Sequence, residues 1–144
     1  MSTKKQINLK FPIRPKPKQS VRVGKSKGGK KTFYKDSKVV KFEQEIRMLF
    51  LAQILHVKKF EGAVGLDVTY TFKHPKNWSK AMVAKLSEGK TYRPLRPDLT
   101  DNINKGWVDV VAPYLMNEDS QISKFSAEKI YGLEDCINAT FYEL

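Results

Sequence analysis

Asp98, Asp101, Lys105 and Asp119 carry side chains whose types and spacing suit chemistry on a phosphate group, while Asp109, on the same helical spacing, reads as a surface residue or a neighbour of that group. Asp98 follows Pro97, so the chain enters this segment extended. With a helix from about Thr100 to Tyr114, Asp101, Lys105 and Asp109 stand at i, i+4 and i+8 and share the face opposite Trp107 and Val111. One reading of the acids is local: a first helical turn favours negative charge, and Asp98 or Thr100 could serve as the N-cap. The other is chemical. Carboxylates gathered in a low-dielectric site repel one another and stay ionised together when a divalent cation neutralises them. An all-oxygen ligand set suits Mg²⁺, with Mn²⁺ as a substitute. Such an ion polarises a phosphoryl oxygen and supplies hydroxide near neutral pH. Lys105 would then stabilise charge on the reacting phosphate. This reading requires the loop bearing Glu118 and Asp119 to run back beside the helix start.

The elements that must position these residues are written in the hydrophobic pattern. Ile7, Leu9 and Phe11 alternate in "QINLKF", and Val64, Leu66, Val68, Tyr70 and Phe72 alternate in "GAVGLDVTYTF"; both read as strands. Phe42, Ile46, Leu49 and Gln53 recur at helical spacing from about Ser37 to Val57, with Phe50, Ile54 and Leu55 widening the apolar face. Ser79 is placed to cap a short helix through Leu86, closed by Gly89. The second long helix presents Ile103, Trp107, Val110, Val111 and Tyr114. Two further runs, "ISKFSAEKIYG" and "CINATFYEL", read as strands. The order predicts a single α+β domain over residues 1–144: a mixed sheet of about four strands with two main helices packed on one face.

Charge is unevenly spread along the 144 residues. Residues 1–41 hold 14 Lys/Arg against Asp36 alone, a balance of +13, whereas residues 42–144 balance at −1. The segment at about 12–36 is rich in Pro, Gly and Lys and is expected to be a basic loop or arm rather than a packed element. Its Arg14, Lys16, Lys18, Arg22, Lys25, Lys27, Lys30 and Lys31 are candidate DNA-phosphate contacts, since clustered cations gain affinity by releasing counterions from a polyanion. The composition also bounds what the protein can be. No apolar run is long enough to span a membrane, and the basic N-terminus lacks the apolar segment of a secretory signal. One cysteine excludes an internal disulfide, fits a cytoplasmic location, and with two histidines argues against structural zinc. Neither a membrane nor a small-molecule substrate is expected as a partner.

"PDLTDNINKGWVDVV" followed by "NEDSQI" resembles the signature of RusA-type Holliday junction resolvases, roughly Pro-Asp-x-Asp-Asn-x-x-Lys-x-x-x-Asp with a downstream Asp-x-Gln-[Val/Ile]. The Pro-rich basic segment, the helix start "YKDSKVVKFEQEI" and "HPKNWSK" are similar to those of phage-borne members. The resemblance implies a homodimeric, Mg²⁺-dependent endonuclease that binds four-way DNA junctions and cuts opposing strands symmetrically. By matching position it assigns metal-binding and catalytic roles to Asp98, Asp101 and Asp119, with Lys105 assisting. The sequence departs from the pattern once: two residues, Leu99 and Thr100, separate Asp98 from Asp101 where the family has one. The extra residue is expected to be absorbed in the turn. The alternative expectation is a basic protein that binds branched DNA without cutting it.

Overall fold

A computed structural model describes residues 4–17, 37–54, 56–100 and 103–144, together with the backbone of 22–25 and 31–34. Four strands form the main sheet: β1 (Gln6–Phe11), β4 (Val64–Lys73), β5 (Ile122–Gly132) and β6 (Cys136–Glu143), in the order β1-β6-β4-β5. β6 pairs antiparallel with both β1 and β4, while β5 runs parallel to β4, so the sheet is mixed. Register aligns the alternating apolar residues into rows on one face: Ile7–Phe141–Leu66, Leu9–Ala139–Val68 and Phe11–Ile137–Tyr70. All of these except half-buried Ile7 are buried. The period-two alternation of the sequence thus becomes one side of a hydrophobic core.

Two long helices cover that face. α1 (Ser37–Gln53) buries Phe42, Ile46 and Phe50, and α3 (Lys105–Leu115) buries most of its residues, with Trp107 at the centre. Trp107 packs its ring against Phe11 and Phe141 at centroid distances of 5.8 and 5.9 Å, and Phe50 meets Tyr114 at 5.2 Å. Gln53 sits at an apolar position of α1 for a polar reason. Its side-chain amide donates to the Lys10 carbonyl at 2.7 Å and its oxygen accepts from the Lys10 amide at 2.9 Å, closing part of the open edge of β1. The architecture is the expected single α+β domain with a four-stranded mixed sheet.

Three elements differ from expectation. The basic segment holds a ribbon, with β2 (Arg22–Lys25) paired antiparallel to β3 (Lys31–Tyr34). Main-chain pairing needs no apolar content, which is why composition pointed to a loop. The first helix stops at Gln53, four residues short of Val57. α3 starts at Lys105, five residues after Thr100; residues 99–100 and 103–104 are turns. Asp101 therefore precedes the helix in the chain, and only Lys105 and Asp109 share its face. α2 (Lys80–Ala84) follows expectation: the Ser79 hydroxyl accepts from the Met82 amide at 3.2 Å, and a short 3₁₀ turn extends the element through Ser87. No helix among the described residues is long and apolar enough to cross a membrane.

Candidate active site

The chain reaches the site along the open edge of β5. Backbone bonds from the Tyr131 amide to the Thr91 carbonyl and from the Arg93 amide to the Lys129 carbonyl tie residues 91–93 to that edge. Lys129 lies in the row with Tyr70, on the core face. Its ammonium donates to the carbonyls of Leu95 and Pro97, both at 2.7 Å, and so holds the segment just before Asp98. The Arg93 guanidinium donates to the Arg96 carbonyl at 2.9 Å while lying over the rings of Phe72 and Tyr131. Cations over aromatic faces gain electrostatic attraction that neutral residues there would lack.

From Asp98 the chain turns into α3, and a buried polar relay fixes that turn. Trp107 Nε1 donates to the Tyr70 hydroxyl at 2.7 Å, which donates to Asn104 Oδ1 at 2.5 Å; Asn104 Nδ2 donates in turn to the Leu99 carbonyl at 2.9 Å. The relay explains the late helix start, because the Asn104 amide is committed to the sheet and the preceding turn. Burial pushes the Tyr70 phenol well above its ordinary pKa, although the Trp107 hydrogen bond pulls it the other way. Tyr70→Phe should leave a buried indole N–H without its acceptor, a loss of about 1–3 kcal/mol. Because folding keeps this proton bound, wild-type stability should fall as pH rises beyond the ordinary tyrosine pKa of about 10. Denaturant titrations should show that alkaline slope reduced in Tyr70→Phe.

The Asp119 turn is held by Gln121. The Gln121 amide donates to the Phe60 and Gly62 carbonyls at 2.9 and 3.0 Å, and its oxygen accepts from the Asn117 and Glu118 amides at 3.0 and 3.1 Å. Glu118 completes a reciprocal capping arrangement with Gln121 and also accepts from the Ser120 hydroxyl, so its carboxylate serves the turn. On the expectation that Asp119 holds a metal for DNA cleavage, Gln121→Ala should slow that cleavage about 10–100-fold, the range seen when residues orienting a metal ligand are removed, with DNA affinity little changed. A parallel loss of affinity would mean that Gln121 does more than orient the turn.

These supports bring Lys105, Asp109 and Asp119 onto one cavity of about 250 Å³, whose other walls include Leu66, Val108, Ile122 and Phe125. The Asp119 loop thus does run back beside the helix start. Asp109, which reads as a surface residue by sequence, lines the same cavity. Asp98 lines a different cavity, of about 550 Å³, with Arg14, Lys16, Arg96 and Phe72. Arg14 is braced by an ion pair to Asp135 at 3.3 Å. Asp101, Lys18, Lys27 and Lys30 lie outside the described residues, as do the side chains of Arg22, Lys25 and Lys31. Among the described residues no three of His, Cys, Asp and Glu are grouped to hold a metal. Asp109 and Asp119 nevertheless bring carboxylate oxygens, the kind of ligand a hard divalent cation takes, to the cavity that Lys105 lines, and the sequence places Asp101 four residues before Lys105.

The model of one protein family, endodeoxyribonuclease RusA, matches residues 12–139, nearly the whole chain. The chain belongs to the RusA endodeoxyribonuclease family. No curated protein matches it. Membership makes the chain an endodeoxyribonuclease. Sequence reasoning missed Tyr70 and Asn104 as supports of the site; the signal in hand was a polar residue, Asn104, directly before Lys105. Gln121 was visible in the motif without its role.

Proposed function

We propose that this RusA-family protein resolves four-way DNA junctions by symmetric hydrolytic cuts in opposing strands, as a Mg²⁺-dependent homodimer. The observation that carries the reading is the shared cavity of Lys105, Asp109 and Asp119, in a chain whose family acts on DNA. Asp119 and Asp101 would hold the metal, with Asp98 as the further carboxylate the family pattern assigns. When bound, the ion supplies Lewis-acid activation of the scissile phosphate and of water. The protein's own residues do the rest. Neither the Lys105 ammonium nor the Asp119 carboxylate makes a hydrogen bond or ion pair among the described residues, so the ammonium is available to a phosphate oxygen. Arg14, Lys16 and Arg96 line the Asp98 cavity, where they would neutralise DNA backbone phosphates. Two opposing cuts need two sites related by a two-fold axis, which a homodimer provides.

The test is cleavage of a synthetic four-way junction against a linear duplex of the same sequence, with Mg²⁺ or with EDTA. Paired nicks in the junction alone, only with metal, are expected. A second reading is favoured by Asp98 lining the basic cavity rather than the Lys105 cavity: a protein that binds branched DNA without cutting. Tight junction binding with no cleavage in either Mg²⁺ or Mn²⁺ would select it.

A further inference from the structure

Residues 73–96 hold seven cations, Lys73, Lys76, Lys80, Lys85, Lys90, Arg93 and Arg96, against Glu88 alone, although residues 42–144 as a whole balance at −1. Their scaffold is the excursion built around α2, and it is not there for the core. Neither α2 nor the 3₁₀ turn after it buries a residue, and a gap of about 450 Å³ separates Val83, Ala84 and Leu86 from Ile130, Tyr131 and Gly132 of β5. The excursion is instead held at its two stems. At the outgoing stem His74 stacks on Trp78, which meets Tyr131 edge-on at 4.8 Å, and the His74 amide donates to the Gly132 carbonyl. At the returning stem Lys90 pairs with Glu128 at 2.7 Å, and residues 91–93 bond to the edge of β5. Between the stems Lys76, Lys80 and Lys85 are exposed, and none pairs with a carboxylate among the described residues.

We propose that this excursion is a second DNA-binding surface, which takes the phosphate backbone of a duplex arm about one helical turn from the cut. The proposal rests on the DNA-cleaving reading above and adds a place and a distance to it. β5 connects the two regions: Asp119 lies just before Ile122 at its start, and the excursion faces Ile130 to Leu133 at its end. Ten residue steps of extended strand span roughly 33 Å. One turn of B-form duplex spans about 34 Å. An arm running parallel to β5, over the edge that residues 91–93 cover near Ile130, with its reacting phosphate at Asp119 therefore presents backbone to Lys76, Lys80 and Lys85 about ten base pairs on. The charge complementarity is sequence-independent, as shape recognition of a junction requires. Trp78 packs against His74 and Tyr131 and braces the stem.

The test uses junctions with hairpin-closed arms of about 6 or about 20 base pairs, chosen to fall on either side of one helical turn. The protein carries Lys76→Gln, Lys80→Gln and Lys85→Gln together, three exposed positions whose exchange leaves the fold intact. Affinity for long-armed junctions should fall at least about tenfold, with the salt slope reduced by about 0.9 for each phosphate that is no longer neutralised. Affinity for short-armed junctions should change less than about twofold, because no phosphate reaches the excursion. Equal affinities of variant and wild type for long arms would overturn the proposal. So would an equal loss on both arm lengths, which would make the lysines a diffuse charge rather than a surface one turn away. Wild-type protein that neither binds nor cuts any junction would refute the DNA-cleaving reading itself, and that result is separate from the arm-length comparison.

Discussion

Asp119→Asn should abolish junction cleavage, by at least about 10³-fold, while the protein remains folded and continues to bind DNA. The expected loss exceeds the 10²–10³-fold typical of removing a single transition-state hydrogen-bond donor, because an amide neither carries charge nor replaces a carboxylate toward a hard cation. The fold should tolerate the change. Asp119 is exposed at the first position of a single 3₁₀ turn, and its carboxylate makes no hydrogen bond or ion pair among the described residues. The turn is held by Gln121 and Glu118 instead. Surface exchanges away from such interactions usually alter stability by no more than about 0.5 kcal/mol. The measurement is single-turnover cleavage in saturating Mg²⁺, beside a thermal melt and a binding titration. Cleavage within about tenfold of wild type would remove Asp119 from the reaction and the Lys105 cavity with it.

Trp107→Ala should be the most damaging core substitution, at about 3–5 kcal/mol out of the 5–15 kcal/mol that holds a domain of this kind together. Trp107 is fully buried where α3 meets the sheet, against Phe11 of β1 and Phe141 of β6. Its indole N–H begins the relay that runs through Tyr70 and Asn104 to the Leu99 carbonyl. Truncation would open a cavity and free the turn before Lys105, so stability and cleavage should fall together. Trp107→Phe separates the two effects, since it keeps most of the ring packing and removes only the donor. Urea unfolding should show a lower midpoint with an unchanged slope for both variants, by less for Phe. A Trp107→Ala midpoint close to wild type would mean that the α3–sheet packing contributes little.

Much of this architecture can be read from the chain because it rests on local periodicity. The alternation in "GAVGLDVTYTF" fixes which face of β4 is buried, and the spacing of Phe42, Ile46 and Phe50 does the same for α1. Features set by tertiary partners are a different matter. The β2–β3 ribbon arises from main-chain pairing in a segment whose composition signals a loop. The start of α3 is displaced by the bonds of Asn104 to Tyr70 and Leu99, residues 34 and 5 positions away in sequence. Helix-start signals at Asp98 and Thr100 could not anticipate that competition. The site shows the same division. The motif supplied Lys105 and Asp119, and their convergence on one cavity depends on Gln121 reaching Phe60, 61 residues away. Asp109 reads as peripheral because a helical wheel records direction without recording what lies opposite.

The order of the sheet has a consequence for biosynthesis. β4 lies between β5 and β6, both made after it, and among the described residues β1 has only β6 as a neighbour in the sheet. A chain emerging from the ribosome at about 5–20 residues per second exposes Asp98, Lys105 and Asp119 while β4 is still unpaired on both sides. The cavity that gathers Lys105 and Asp119 needs Ile122 and Phe125 in place on β5, and the sheet closes only when the segment up to Glu143 has left the exit tunnel. On the proposed reading of the Lys105 cavity, a nascent or truncated chain is therefore a polycation whose candidate cutting site has not yet been assembled, and its topology would delay DNA cutting until β6 has emerged.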